Sequence, residues 1–275
     1  MPNTNNTMRD TVLPITMAFL LLLTFSLIAR AESEFSLTPS LMHFDYTEFS
    51  YNGTVLDRET GWVPGIQFQL AHDINDQLNI ELGISTYGGN VDYAGHTQSG
   101  LPHNTRTNEG LTRIDTRFIA PLLPDTNIYL ATKFHQWDRN IYSNNGVAGI
   151  FEQYQWWEIS VGGRISFWIK NNQAWIADIA ILRTINPTLY VDLSSVDAGN
   201  ADLNLGSDTG ARLQLMWEIS TNERYTYGIN TFYEIWDFGI SDTKNTTGGS
   251  SSFSIFEPRS ETRHIGIQFQ LNFKH

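Results

Sequence analysis

The stretch IGIQFQLNF at residues 265–273 alternates an apolar side chain with a small or polar one at every position. Successive side chains of a β-strand point to opposite faces, so this pattern gives one apolar and one polar face. The same period of two recurs in IQFQL at 66–70 and LNIELGI at 78–84. No segment beyond residue 31 shows a sustained helical period, and the pattern therefore predicts an all-β protein.

Ten segments carry this alternation, and they are longer than the five or six residues typical of strands in soluble sheets. Their length suits the 9–11 tilted residues with which a strand crosses a bilayer. Eight or twelve strands remain alternatives, because the region 151–185 can be divided differently. The predicted strands are 36–49, 61–73, 77–87, 110–121, 126–138, 151–169, 174–185, 208–219, 224–238 and 260–273.

The connections between these segments alternate in length, which indicates an antiparallel transmembrane β-barrel. Short turns on one side and long loops on the other are typical of short periplasmic turns and long extracellular loops, with both termini at the periplasmic end. The short connections are 74–76, 122–125, 170–173 and 220–223, and the long ones are 50–60, 88–109, 139–150, 186–207 and 239–259.

Tryptophans cluster near both sets of connections, as expected of the aromatic girdles at the two membrane interfaces. The alternative is that they form the core of a soluble sandwich. Beside the short turns lie Trp168, Trp175 and Trp217, and beside the long loops lie Trp62, Trp137, Trp157 and Trp236.

The N-terminus carries an apolar run at 12–28, preceded by Arg9 and followed by Ala29-Arg30-Ala31. A positive residue, an apolar run and a small-x-small site predict a secretory signal peptide at 1–31, followed by the barrel at 32–275. An uncleaved anchor is the alternative, although the run is shorter than the ~20 residues of a spanning helix. Together with the barrel pattern, this segment predicts export to the cell outer membrane.

The composition excludes several classes of function. The net charge of −12 argues against nucleic acid as a partner, because phosphate backbones are bound by basic patches. The chain has no cysteine, which excludes disulfides, a thiolate zinc site and a cysteine nucleophile. We expect no cofactor and no metal.

The last predicted strand resembles the C-terminal signal by which Gram-negative outer-membrane barrels are recognised for assembly. The matching residues are His264, Gly266, Phe269, Leu271 and Phe273. The resemblance implies that the barrel-assembly machinery and the lipid and lipopolysaccharide of the outer membrane are partners.

The layout of ten strands and five long loops is similar to that of the omptins, the outer-membrane proteases. That family carries a pair of aspartates at the start of the second loop and an Asp-x-His in the fourth. Here the second loop offers Asp92, and the fourth offers Asp192, Asp197 and Asp202 but no histidine. The resemblance implies the omptin layout without its catalytic dyad.

If the apolar face points outward, the mid-strand charges point into the lumen. Five acids and five bases do so, and this balance predicts a largely filled interior of ion pairs, whereas a selective pore would show a ring of one sign. Arg113, Asp115 and Arg117 share one strand face, either as an anion or substrate site or as a ladder of ion pairs. The other inward charges are Glu81, Lys133, Glu158, Arg164, Asp178, Arg212 and Glu234.

A second candidate cluster lies where the fifth strand meets the third loop. It comprises His135, Asp138, Glu152 and Glu234, and a His–carboxylate pair at a barrel mouth could act as a general base. Two functions therefore remain open. The first is a structural, ligand-binding or small-pore barrel, and the alternative is a surface enzyme, an omptin-like protease or a lipid-modifying barrel. No complete catalytic set favours the second.

Overall fold

The computed structural model describes residues 33–97, 100–248 and 251–274, so the predicted signal peptide lies outside the described residues. Ten antiparallel strands form a closed barrel, which confirms the predicted fold class. The barrel strands are β1 (Ser33–Phe49), β2 (Val55–Asn75), β3 (Leu78–His96), β4 (Pro102–Leu123), β5 (Thr126–Ile141), β6 (Ile150–Lys170), β7 (Gln173–Asp192), β9 (Thr209–Ser220), β10 (Tyr225–Phe238) and β13 (Arg259–Lys274).

Each barrel strand pairs with its neighbours in the chain, and the first pairs with the last. Closure occurs between β1 and β13, where Leu37 faces Leu271 and Phe44 faces His264. The region 151–185, which could be divided differently by sequence alone, forms two long strands, β6 and β7, which pair from Phe151–Asp192 to Lys170–Gln173 with two shifts of register. A closed sheet leaves none of these ten strands as an edge.

Three short strands lie at one end of the barrel. The strand β8 (Ala201–Asn204) pairs with the end of β7, shortly after the 3-10 turn Ser194–Val196. The strands β11 (Lys244–Gly248) and β12 (Ser251–Ile255) form a hairpin between β10 and β13.

No helix in the described ranges 33–97, 100–248 and 251–274 has both the length and the hydropathy of a membrane span.

The opposite end of the barrel carries four tight turns at 76–77, 124–125, 171–172 and 221–224. Asn171 and Asn172 have φ of 51° and 62°, the left-handed pair that a two-residue type I′ hairpin requires and that asparagine tolerates. Glu34 pairs with Lys274 at this end, so the two ends of the described barrel lie together there. This is the short-turn end expected to face the periplasm.

Two of the predicted long loops are wrong, because at the other end the strands extend well beyond the part whose outer face is apolar. The segments 50–60 and 88–109 are mostly β2, β3 and β4, which leaves connections of 50–54 and 97–101. In these extensions the outward face is polar, as at Arg58 and Asp92. The contrast of apolar and polar faces that reveals a strand in sequence is therefore lost.

The tryptophans divide between lipid and lumen. Trp62 and Trp157 are 57% and 50% exposed on the outer face, as a girdle requires, and Trp168 and Trp175 are exposed at the short-turn end. Trp137 and Trp236 were predicted in the girdle, but they are only 1% and 2% exposed and lie in the interior. That prediction is wrong because it used their position along the strand and ignored the face.

The C-terminal strand also shows the alternation of faces. Phe269 and Leu271 are exposed on the outer face, whereas His264 is wholly buried in the lumen. Gly266 also faces inward, and a Cβ there would lie 2.5 Å from the Phe232 ring. Glycine at this position thus allows Phe232 to cross the strand. The role of this strand in assembly stays a prediction.

Candidate functional site: the barrel interior

The lumen at the depth of the outer apolar face contains a network of charged side chains, which we call the membrane-level network. It has five acids and five bases, and nine of the ten make ion pairs. Its members are Glu81, Arg113, Asp115, Arg117, Lys133, Glu158, Arg164, Asp178, Arg212 and Glu234.

Glu234 and Glu158 are the acids at the upper centre of this network, and both are 2% exposed. Glu234 lies 3.2 Å from Arg113 and 3.3 Å from Arg212. Glu158 lies 3.6 Å from Lys133 and 3.7 Å from Arg212. Arg113 is on β4 and Glu234 on β10, which are five strands apart in a ring of ten, so this pair bridges the lumen.

The lower half of the network is centred on Asp178, which is wholly buried. Arg117 and Arg164 each lie 3.4 Å from Asp178, and 3.5 Å and 3.2 Å respectively from Glu81. Tyr129 donates a further hydrogen bond to Asp178. Arg113 and Arg117 thus bind acids on other strands, and the ion-pair interpretation of this strand face is the one that the geometry favours.

A polar cavity of about 60 Å³ lies within the network. Asp115, Lys133 and Arg212 line it together with glutamines such as Gln67 and Gln268. One water needs roughly 10–15 Å³ of such space, so the cavity holds a few water molecules. It is too small for an organic substrate.

A layer of buried rings covers the network on the extracellular side. His135 stacks on Trp156 with ring centroids 4.3 Å apart, and His264 meets the edge of Trp236 at 4.7 Å. Trp156 and Trp236 are themselves 6.0 Å apart. Both histidines are wholly buried, so solvent does not reach the rings.

The predicted mouth cluster is divided by the structure. His135 Nε2 lies 3.1 Å from Glu158 Oε2, and Glu234 belongs to the membrane-level network. Glu152 lies above this level and binds Arg139. Asp138 is on the outward face, where Gln153 donates a hydrogen bond to it at 2.8 Å. Asp138 therefore does not join His135, because an odd offset along β5 places the two side chains on opposite faces of the strand.

Above the ring layer lies a group that the sequence did not reveal, which we call the Arg139 cluster. Arg139 is 1% exposed and lies 2.7 Å from Glu152, 3.0 Å from Glu48 and 3.1 Å from Glu59. Asp57 is 3.8 Å away. The cluster is defined as Arg139 with the acids Glu48, Asp57, Glu59, Glu109, Glu152 and Glu257, all less than 10% exposed.

Two tyrosines bind Glu257, the member of the cluster that lies in the segment between β12 and β13. Tyr154 donates a hydrogen bond to Glu257 at 2.8 Å, and Tyr46 lies 3.1 Å from the same oxygen. The guanidinium of Arg139 lies 4.5 Å from the centre of the Tyr46 ring. Burial, with Glu48 and Glu152 nearby, holds the pKa of Glu257 well above its usual value.

Most acids of the cluster fall in segments that were predicted as loops. The signal that could have found them is the period of two, which continues inward from Arg113 to Glu109 and from His135 to Arg139.

Comparisons with known proteins bear on the fold. No family model matches the chain, and no curated protein matches it. Among solved structures, the outer membrane protease OmpT of Escherichia coli is similar, with a TM-score of 0.57 and 11% identity over 89% of this chain and 96% of that one.

Two further matches have lower TM-scores. The translocator domain of the autotransporter NalP from Neisseria meningitidis gives 0.46, with 4% identity over 93% of this chain and 95% of that one. The outer membrane protein OprG from Pseudomonas aeruginosa gives 0.36, with 8% identity over 89% and 96%.

The chain has the fold of an outer-membrane β-barrel, with a closed ten-strand layout similar to that of OmpT. The omptin catalytic dyad is missing from the described residues of this barrel. Asp92 lies on the exposed outer face of β3, and Asp197 and Asp202 are exposed in the connection between β7 and β9. The likeness to a protease therefore extends to the fold alone.

Proposed function

We propose that this protein is an outer-membrane barrel with a sealed lumen, a structural or ligand-binding protein that acts at its extracellular rim. The observation that carries the proposal is the continuous filling of the interior. The membrane-level network, the ring layer above it and the Arg139 cluster are almost wholly buried. Water and ions need a continuous path, and this sequence of layers interrupts it.

The balance of charge supports the same conclusion. A selective pore presents charges of one sign to its water column, whereas here acids and bases are matched and bridge the lumen. Charged groups at this depth are costly unless they are paired, and their pairing stabilises a closed interior. The small-pore function is therefore the less favoured form of this proposal.

We further propose the outer membrane as the location, reached through the predicted signal peptide. The exposed apolar face, with residues such as Ile181 and Val161, suits membrane lipid, including lipopolysaccharide, as its partner. The pattern from His264 to Phe273 suits recognition by the barrel-assembly machinery.

The enzyme alternative needs a substrate to reach His135. That side chain is fully buried between Trp156 and the network, and its carboxylate partner Glu158 already binds Lys133 and Arg212. No observation favours catalysis at this position.

Single-channel conductance in a planar bilayer tests the sealed lumen. The refolded chain is first checked for the heat-dependent gel shift of a folded barrel. We expect the wild-type barrel to be electrically silent and the double variant Trp156→Gly/Trp236→Gly to give at most brief conductance events, because it opens the ring layer and leaves the ion pairs of the membrane-level network in place.

The matched control is Trp157→Gly, which removes the outward neighbour of Trp156 and should stay silent. Steady conductance of the wild-type barrel would contradict the proposal. It would show that water passes between the ion pairs.

A further inference from the structure

Two pairs of carboxyl groups in the Arg139 cluster are close neighbours in the barrel interior. Glu59 accepts hydrogen bonds from Arg139 and Thr107, while Glu109 is the cross-strand partner of Arg139 and lies on the same face of β4 as Thr107. Glu48 and Asp57 are cross-strand partners, and both lie beside Arg139. An ionised carboxylate has only acceptor oxygens, so two of them cannot form a hydrogen bond with each other. Such a contact needs either a proton on one partner or a cation between the two.

In the Glu59–Glu109 pair, the other contacts leave one oxygen of each carboxyl group without a hydrogen bond. Glu59 Oε1 accepts from Thr107 at 2.7 Å and from Arg139 at 3.1 Å, while Glu109 Oε2 accepts from Trp137. Glu59 Oε2 and Glu109 Oε1 are buried and accept no hydrogen bond from a described side chain. Glu59 is 0% and Glu109 is 4% exposed, so bulk water is excluded from the gap.

The charge of the cluster requires neutralisation. Six acids surround one arginine, and leaving so many carboxylates ionised in a buried space is strongly unfavourable. Each pair supplies two carboxyl groups, whereas Ca²⁺ takes roughly 6–8 oxygen ligands. A proton shared by the pair therefore fits this geometry better than a cation.

We propose that Glu59 and Glu109 share one proton, that Glu48 and Asp57 share another, and that these protons hold the extracellular end of the barrel closed. Loss of either proton adds a negative charge around Arg139, which also binds Glu152, and Glu48 shares the Tyr46 hydroxyl with Glu257. Glu257 anchors the connection after the β11–β12 hairpin through Tyr46 and Tyr154. Deprotonation thus weakens the attachment of this connection to the rim.

The groups that face these pairs come from every neighbouring strand. They are Tyr46 on β1, Tyr93 on β3, Thr107 on β4, Trp137 and Arg139 on β5, Glu152 and Tyr154 on β6, and Glu257 before β13. His103 lies against the Tyr93 ring at 5.6 Å. Among these groups only Arg139 carries a permanent positive charge, and it favours the ionised form of the carboxyl groups, whereas burial and the neighbouring acids favour the protonated form.

Infrared difference spectroscopy of the full folded barrel at neutral pH tests the shared proton. We expect Glu109→Gln to remove one protonated-carboxyl band, because a glutamine amide accepts from Trp137 and donates to Glu59. The control Asp138→Asn removes an outward carboxyl and should leave that band intact. A spectrum unchanged by Glu109→Gln overturns the proposal, and Glu59→Gln provides the same test if the first variant does not fold.

Urea unfolding from pH 5 to 8 gives the second readout. A proton bound only in the folded barrel makes the unfolding constant rise by up to tenfold per pH unit until that proton leaves. We expect Glu109→Gln to flatten this slope and Asp138→Asn to keep it.

Urea unfolding in the presence of EDTA or of calcium chloride distinguishes a shared proton from a bound cation. Insensitivity to both supports the proton. Destabilisation by EDTA that calcium reverses overturns the proposal in favour of a cation. Neither result depends on whether the lumen conducts.

Discussion

The buried charges of the two charged regions of the lumen are neutralised in different ways. The membrane-level network contains five acids and five bases, and its ion pairs reach across the barrel. The Arg139 cluster contains six acids and one base, although it is buried to a similar degree. One region is neutral through opposite charges, and the other can be neutral only through bound protons or ions.

Their depth explains the difference. Beside the membrane-level network the outer face is apolar, with Phe134 and Ile114 among its residues, so neither side offers bulk water to a charge. Beside the Arg139 cluster the outer face is polar, with Asp138 and Asn140 on the same strand. A group near the aqueous end can exchange its proton with solvent, whereas a group at membrane depth depends on fixed partners.

The largest expected effect is the loss of an acid at membrane depth. We expect Glu158→Ala to lower the free energy of unfolding by about 3–5 kcal/mol, because it leaves Lys133 and Arg212 with fewer partners in a buried space. Urea unfolding of the folded barrel measures this change. A loss below about 1 kcal/mol would show that water already screens these charges.

A smaller loss of stability is expected when the Tyr154 hydroxyl, which bonds both Arg139 and Glu257, is removed. Tyr154→Phe should cost about 1–3 kcal/mol, since it removes the donor to Glu257 and an acceptor of Arg139. Tyr142→Phe removes an exposed hydroxyl that donates to Asn90 and serves as the control. Equal unfolding midpoints for both variants would contradict the account.

The charge state of Glu257 is expected to have a weaker, pH-dependent effect on stability. Its pKa is raised by burial, so the folded barrel holds this proton more tightly than the unfolded chain. The resulting stability is present below the unfolded pKa of ~4.3 and is lost as pH rises through the folded value. Trypsin cleavage near Lys244, normalised at each pH to the denatured chain, should therefore increase with pH in the wild type and much less in Glu257→Gln. Parallel pH profiles would refute this role.

The smallest effect is expected from an exposed pair outside both regions. A hydrogen bond from Lys244 lowers the pKa of Asp242 to about 2. Any stability it provides is present above the unfolded pKa and is lost as pH falls through about 2. Solvent screens this pair, so Asp242→Asn should leave the urea midpoint unchanged at neutral pH. A shift of the urea midpoint as large as that of Tyr154→Phe would contradict the expected difference in stability between buried and exposed charges.

The strands and the inward charges follow from the period of two, because one face meets lipid and the other does not. The same rule, applied strictly, would have excluded Asp138 from the site and moved Trp137 into the lumen, since these neighbours lie on opposite faces. What the sequence cannot supply is the partner across the lumen. Arg113 meets Glu234 because of the shear and tilt of the closed barrel, and no local pattern encodes that stagger. The Arg139 cluster was missed because the strands that carry it are polar on their outer face.

A double-mutant cycle on Arg113 and Glu234 tests most directly whether ion pairs bridge and seal the lumen. The variants are Arg113→Met, Glu234→Gln and their combination, compared by the free energy of unfolding. Since β4 and β10 lie on opposite sides of the ring, a coupling of about 0.5–3 kcal/mol is expected only if the side chains meet across the interior. A coupling of zero would mean that water separates them, and it would contradict the sealed lumen.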